Sequence, residues 1–281
     1  MRYLYVPVLV LALSILSLPA SAAGGLLPIL GGDEPVQFDV VGNQIKAQVD
    51  LGLLDVTLQI TFENAIGLNQ NALRINASRV LTGDLGLLRR ITDPSLISIP
   101  LQLPVLINIT PTPNSTLTFT GAYEIELYTR NLSFLPVLRL FKASNGLKFQ
   151  DITTFTGMGS YRVRGTSGDF SDFLILLDLR NVQTAIQSKM NDLQQILAAN
   201  ATQIDPEFYQ SLQMWVDAAR TSWQSGSNSE AVTHLESMIS AIQLDNGQSV
   251  PNTYRANDPN TINVAGALRA AAATLIFSLN L

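Results

Sequence analysis

Near residue 180 the spacing of apolar residues changes from every second position to every third or fourth. Few architectures accommodate both rhythms, so the change divides the chain. Before it, Val56, Leu58, Ile60 and Phe62 alternate with Asp55, Thr57, Gln59 and Thr61, which places one face of a strand in a core and the other in water. The stretch from Val36 to Leu51 alternates on both sides of a turn at Gly42-Asn43, a hairpin signature. Shorter runs follow at 72–77, 96–109, 116–121, 123–129 and 137–143, then a closing pair around Tyr161–Arg164 and Phe170–Leu177. Roughly eight to ten strands broken by Gly, Asn, Pro and Ser turns suit two packed sheets better than an α/β fold.

After residue 180, Val182, Ile186, Met190, Leu193 and Leu197 form a helical stripe. Asp205-Pro206-Glu207 supplies a cap, a first-turn proline and a first-turn acid for a second helix carrying Phe208, Leu212, Trp215, Val216, Ala219 and Trp223. Gly226 stops it, and a third helix carries Ala231, Leu235, Met238, Ile239 and Ile242. A Pro- and Asn-rich connection (248–263) leads to an Ala-rich helix and a tail in which Leu275, Phe277, Leu279 and Leu281 alternate, as in a buried tail or an edge strand. The expected fold is an all-β Greek-key, immunoglobulin-like sandwich over 35–180, followed by a small all-α domain over 181–281.

Ahead of both lies a secretory layout: Arg2, an apolar run from Tyr3 to Leu18, then Pro19 and the small residues Ala20-Ser21-Ala22. The run of about 16 residues is shorter than the ~20 of a spanning helix. Residues 1–22 are therefore read as a signal peptide and 23–34 as a glycine-bracketed leader, leaving 281 − 22 = 259 residues. The chain has no cysteine, which removes thiolate chemistry and Cys-ligated metals. Its net charge of −5 becomes −6 once Arg2 is lost, with no basic cluster, so nucleic acid is not an expected partner.

Residues 125–178 carry the ordered pieces Leu127-Tyr128, Leu138-Arg139-Leu140-Phe141, Phe149-Gln150-Asp151-Ile152-Thr153 and Phe170-Ser171-Asp172-Phe173. In this order they resemble the C-terminal half of exported bacterial surface β-sandwich modules with a closing F-S-x-F strand. Ser211-Leu212, Ala218/Ala219, Gly226, Ala231, Leu235 and Met238-Ile239 are similar to small FIMAH-type helical modules, Met238 standing where Phe is usual. Together the parts resemble an exported proteobacterial family of unknown function. The resemblance implies a place at or beyond the cell envelope and offers no catalytic residue.

The chemistry available is narrow. His234 is the only histidine, so multi-histidine zinc sites are excluded, and a Ser167–His234–Asp triad would have to bridge the two parts. Asp169 and Asp172 are weak calcium candidates beside turn carbonyls, and the twelve-residue calcium-loop pattern is absent. Two of Asp169, Asp172 and Asp178 in one closed pocket would point to a carboxylate-dependent hydrolase. Trp215 and Trp223 are better explained by helix packing than by sugar stacking. No catalytic or cofactor-binding residue and no cofactor is expected. The expected function is that of an exported, non-enzymatic structural or interaction module, with a protein or polysaccharide partner at the cell envelope and no transmembrane span in the mature chain.

Overall fold

Alternation builds two antiparallel sheets. The computed structural model describes residues 34–281 except 131–134, 136, 145–146, 158, 160 and 259. The expected signal peptide, and the expected leader except Glu34, lie outside the described residues. The first sheet runs in the order β1 (Glu34–Pro35), β5 (Leu73–Arg79), β7 (Val105–Pro111), β13 (Asp172–Asp178), β9 (Leu138–Ala143), β10 (Gln150–Asp151), with β6 (Ile97–Ser98) also on β13. The second runs β11 (Thr153–Thr156), β12 (Arg162–Ser167), β8 (Thr118–Tyr128), β4 (Asp55–Ile66), β3 (Gln44–Asp50), β2 (Phe38–Val41), with β14 (Thr253–Arg255) also on β8.

The inner faces meet in one apolar core. Leu58 and Ile60 of β4 and Ile125 of β8 pack in the same cluster as Ile75, Ile107 and Phe173 of the first sheet. Each such burial contributes about 1.5–3 kcal/mol. Phe173-Leu174-Ile175-Leu176 is apolar without alternation because β13 is covered on both faces. Leu174, Leu176 and Phe141 point away from the inner core, into a second cluster with Ile97, Ile99 and Leu87 of α1 (Leu85–Arg90). The apolar stretch 96–109 forms β6 and β7 rather than one strand, since Pro100 and Pro104 between them cannot donate to a ladder.

The helices begin where their caps dictate. Asn181 accepts a hydrogen bond from the Thr184 amide (2.8 Å) at the start of α2 (Val182–Ala199). Asp205 accepts from the Glu207 and Phe208 amides at the start of α3 (Pro206–Gln224). Gly226, at φ +85°, turns the chain toward α4 (Asn228–Asp245). The last helix, α5 (Val264–Leu279), packs on α2 and α4 on one side and on β8, β11, β12 and β14 on another. A helix enclosed in this way is apolar nearly all round. Among the described residues, no helix is long and apolar enough to cross a membrane.

Two expectations are corrected. The fold is not an immunoglobulin-like Greek-key sandwich followed by a separate all-α domain. An immunoglobulin domain has seven to nine strands in all, whereas among the described residues each sheet here has seven. The connection between α4 and α5 also supplies β14 to the second sheet, pairing Thr253–Arg255 with Thr118–Thr120, so the C-terminal part is not all-α. The terminal alternation is helical rather than extended: Leu275 and Leu279, four residues apart, lie on one buried face of α5. The alanines before them favour helix, and the four-residue spacing overrides the two-residue one.

Candidate functional site

The joint between the sandwich and α5 is made of glycines, one amide side chain and a set of buried charges. Asn263 caps α5 by accepting from the Gly266 amide (2.9 Å), and its Nδ2 donates to the carbonyls of Gly121 (2.6 Å) and Gly168 (3.2 Å). A Cβ on Gly266 would lie 2.4 Å from the Gly121 carbonyl oxygen, and one on Gly168 would lie 2.7 Å from the Gly266 carbonyl carbon. Only glycine at these positions lets helix and sheet backbones approach so closely.

Farther along α5 the contacts become ionic. Arg269 donates to both oxygens of Glu63 (2.8 and 2.6 Å). Lys189 of α2, only 4% exposed, meets Asp151 of β10 at 2.7 Å and donates to the hydroxyls of Thr274 (2.7 Å) and Ser278 (2.9 Å). Thr274 in turn donates to the Thr153 carbonyl (2.9 Å). Burial works against the Asp151 charge, but Lys189 beside it and the Thr153 amide hold its carboxyl below the usual carboxylate range. Burial lowers Lys189, with the Asp151 charge opposing.

Between sandwich and helices a cleft remains. Its inner chamber, about 200 Å³, is lined by Asp151, Lys189, Asp192 and Asp169 among polar groups, and by Ala267, Ala270 and Ala271 of α5. An outer hollow of about 710 Å³, walled by Phe170, Tyr254 and the β14–α5 connection, shares Ser144, Gly168, Asp169 and Ala267 with the chamber. Asp169 sits where the two meet. Its carboxylate pairs with Lys142 and accepts from Ser144 (3.3 Å), while its carbonyl accepts from the Tyr123 (2.7 Å) and Ser167 (2.8 Å) hydroxyls. Burial and the Asp169 charge push the Tyr254 hydroxyl up to about 12.

Of the carboxylates singled out from sequence, the structure brings only Asp169 to this cleft. Asp172 is turned to Arg90 (2.7 Å) and Asn108 (2.7 Å), and Asp178 is held bidentately by Arg180 (2.9 and 2.6 Å). As calcium candidates, Asp169 and Asp172 each already hold a cation of the chain, and no metal-holding group of three or more His, Asp or Glu occurs among the described residues. Ser167 donates to Asp169, and His234 lies half-buried on α4 away from the cleft lining, so the triad is not assembled. Ser171 is buried, its hydroxyl 3.3 Å from that of Ser144. Trp215 and Trp223 pack on the helical core, with Trp223 donating to Gln183 (3.0 Å).

Sequence reasoning missed Lys142, Asp151, Lys189, Asp192, Asn263 and Thr274. One signal was present. Lys189 falls on the apolar stripe between Ile186 and Leu193, where a charge needs a buried partner. Thr274 and Ser278, four apart in an apolar helix, are the matching polar stripe.

No curated protein matches the chain. A family model described as a family of unknown function (DUF6689) matches residues 11–281, running without a break through strands and helices. The chain therefore belongs to that family, DUF6689, of unknown function.

Proposed function

We propose that the protein is an exported, non-enzymatic binding module of the bacterial envelope whose ligand site is the cleft between the sandwich and α5. The observation that carries this reading is the cleft itself: two adjoining hollows walled by both parts of the chain and fixed by buried hydrogen bonds, with Asp169 on the wall they share. Its ionic groups are largely committed to one another: Asp169, which accepts from the Ser144 and Ser167 hydroxyls, is itself paired with Lys142, and His234 is not part of the lining. Such a site is organised to hold rather than to react. Export rests on the Arg2-led apolar run and Ala20-Ser21-Ala22. The likeness of 125–178 to exported bacterial surface β-sandwich modules, and of 211–242 to FIMAH-type helical modules, supports the same location.

A row of aromatic platforms for a polysaccharide chain has less support. Tyr128 and Tyr161 meet edge to face at 74°, and Phe170 and Tyr254 cross at 89°, so neither pair offers a shared flat surface.

The test is a fragment screen by NMR on residues 23–281. Compounds that bind should shift the amides of Ser144, Gly168, Asp169 and Ala267, and Ala271→Trp, which fills the chamber, should abolish binding while the chain stays folded. Binding that maps elsewhere, or that survives Ala271→Trp, refutes the assignment. Cell fractionation with N-terminal sequencing should find an exported chain beginning at Ala23; retention of an intact N-terminus in the cytoplasm refutes export.

A further inference from the structure

Within the inner chamber one charged side chain differs from its neighbours. Lys142 is held by Asp169, and Lys189 by Asp151. Asp192, three residues beyond Lys189 on α2, lines the same chamber, and among the described residues no hydrogen bond or ion pair closes on it. Lys189 and Arg180 act on it through space, but their own close contacts are with Asp151 and Asp178. The carboxylate is half-buried and turned to the chamber with no partner among the described residues, so a ligand there can supply the hydrogen bonds that the protein does not. Burial accordingly holds its carboxyl above the ordinary range, against the pull of Arg180 and Lys189.

The other features of the chamber narrow what could complete it. An anion would meet no uncommitted lysine in the lining. The volume of about 200 Å³ lies below the ~300–1,000 Å³ of sites for drug-sized ligands, so the occupant is a small molecule or one small head group. Ala267, Ala270 and Ala271, with Ile152 and Ile196, present methyl groups against which a short hydrocarbon stem can lie. The net charge of −5 favours the approach of cations.

We propose that the inner chamber binds the ammonium group of a small amine, with Asp192 as its counter-ion and the alanine face of α5 against its apolar stem. The proposal deepens the reading of the cleft as a ligand site and rests on it. An ammonium offers Asp192 charge-assisted hydrogen bonds, which are about twice as strong as neutral ones. An alcohol of the same shape offers only the neutral kind, so the chamber discriminates by charge.

The experiment titrates n-butylammonium, and 1-butanol as its uncharged match, into residues 23–281 at neutral pH, followed by NMR. Expected are saturable shifts at Asp192, Ala267 and Ala271 with the amine, and binding of 1-butanol weaker by about tenfold or more. Asp192→Asn should cost about tenfold or more of the amine affinity, leaving the melting temperature and the 1-butanol response unchanged. The Asp192 carboxyl, followed by its own resonance, should titrate lower when the amine is bound. Equal binding of amine and alcohol, or amine affinity that Asp192→Asn does not change, overturns the ammonium site while leaving the cleft as a ligand site. Amine that fails to bind where other fragments still shift the cleft residues does the same. Silence of the cleft toward every fragment overturns both readings.

Discussion

Between its two sheets the molecule buries Leu58, Ile60, Ile107, Ile125 and Phe173; between the sandwich and α5 it buries Lys189, Asp151, Asn263, Arg269 and Thr274. The first interface is held by burial of apolar area, which has no direction and tolerates small repacking. The second has one arrangement in which each donor finds its acceptor. If α5 slid by one turn, Lys189 would leave Thr274 and Ser278, and Asn263 would leave Gly121 and Gly168. A buried ion pair adds little net stability compared with apolar packing, but losing one partner is costly. The sandwich core therefore supplies stability, and the joint supplies position. Position is what a cleft shared by both parts requires.

That contrast can be broken by removing one member from each interface. Lys189→Ala strands Asp151 in the joint and should cost about 3–5 kcal/mol. Phe173→Ala should cost a similar ~3–5 kcal/mol through a core cavity. The two should differ in kind. Chemical denaturation followed by Trp215 and Trp223 fluorescence and by far-ultraviolet circular dichroism should show the helical part loosening first in Lys189→Ala, and one joint transition in Phe173→Ala. Replacing both Lys189 and Asp151 by apolar residues of similar size should recover most of the loss. If the double replacement is as damaging as the single one, the loss lies in the Thr274, Ser278 and Thr153 groups that the pair satisfies rather than in the stranded charge.

Acid should sharpen the comparison. The Asp151 carboxyl is held below its ordinary value of 3.8 in the folded chain. Its contribution is therefore complete above that value and is lost as pH falls through the lower folded one. The joint should open in that range while the sheets persist, visible as loss of Trp fluorescence change before loss of strand signal. Simultaneous loss of both would contradict the division.

A smaller effect is expected at the glycines. Gly168→Ala forces a methyl group into the backbone of α5 and should cost about 1–3 kcal/mol, against a few tenths for Gly83→Ala, where nothing lies within 4 Å. The smallest belongs to Glu63→Gln. Glu63 is 46% exposed, so solvent screens its pair with Arg269, and the change should cost about 1 kcal/mol or less in thermal melts.

How much of this could be read beforehand follows the range of the physical signal. Alternation in Asp55–Phe62 and the stripe Ile186–Met190–Leu193 declare strand and helix because neighbours along the chain set the face that each residue presents. The cap Asp205 bonds to amides two and three residues away, and it too was legible. β14 was not, because Thr253–Arg255 is extended only through its pairing with Thr118–Thr120, more than 130 residues earlier. The candidate site was legible only in Asp169. Its other charged members, Lys142, Asp151, Lys189 and Asp192, come from β9, β10 and α2 and share no local motif.

The sequence by itself determined two rhythms, their boundary near residue 180, the capped start of α3 and the narrow chemistry of a chain with one histidine and no cysteine, since each is a property of local spacing or composition. The tertiary structure decided that β14 enters the second sheet, that Asp169 and Asp172 serve different cations, and that a cleft lies beneath α5. These depend on contacts closed over tens to more than a hundred residues, where only the packing of whole elements selects which charge meets which.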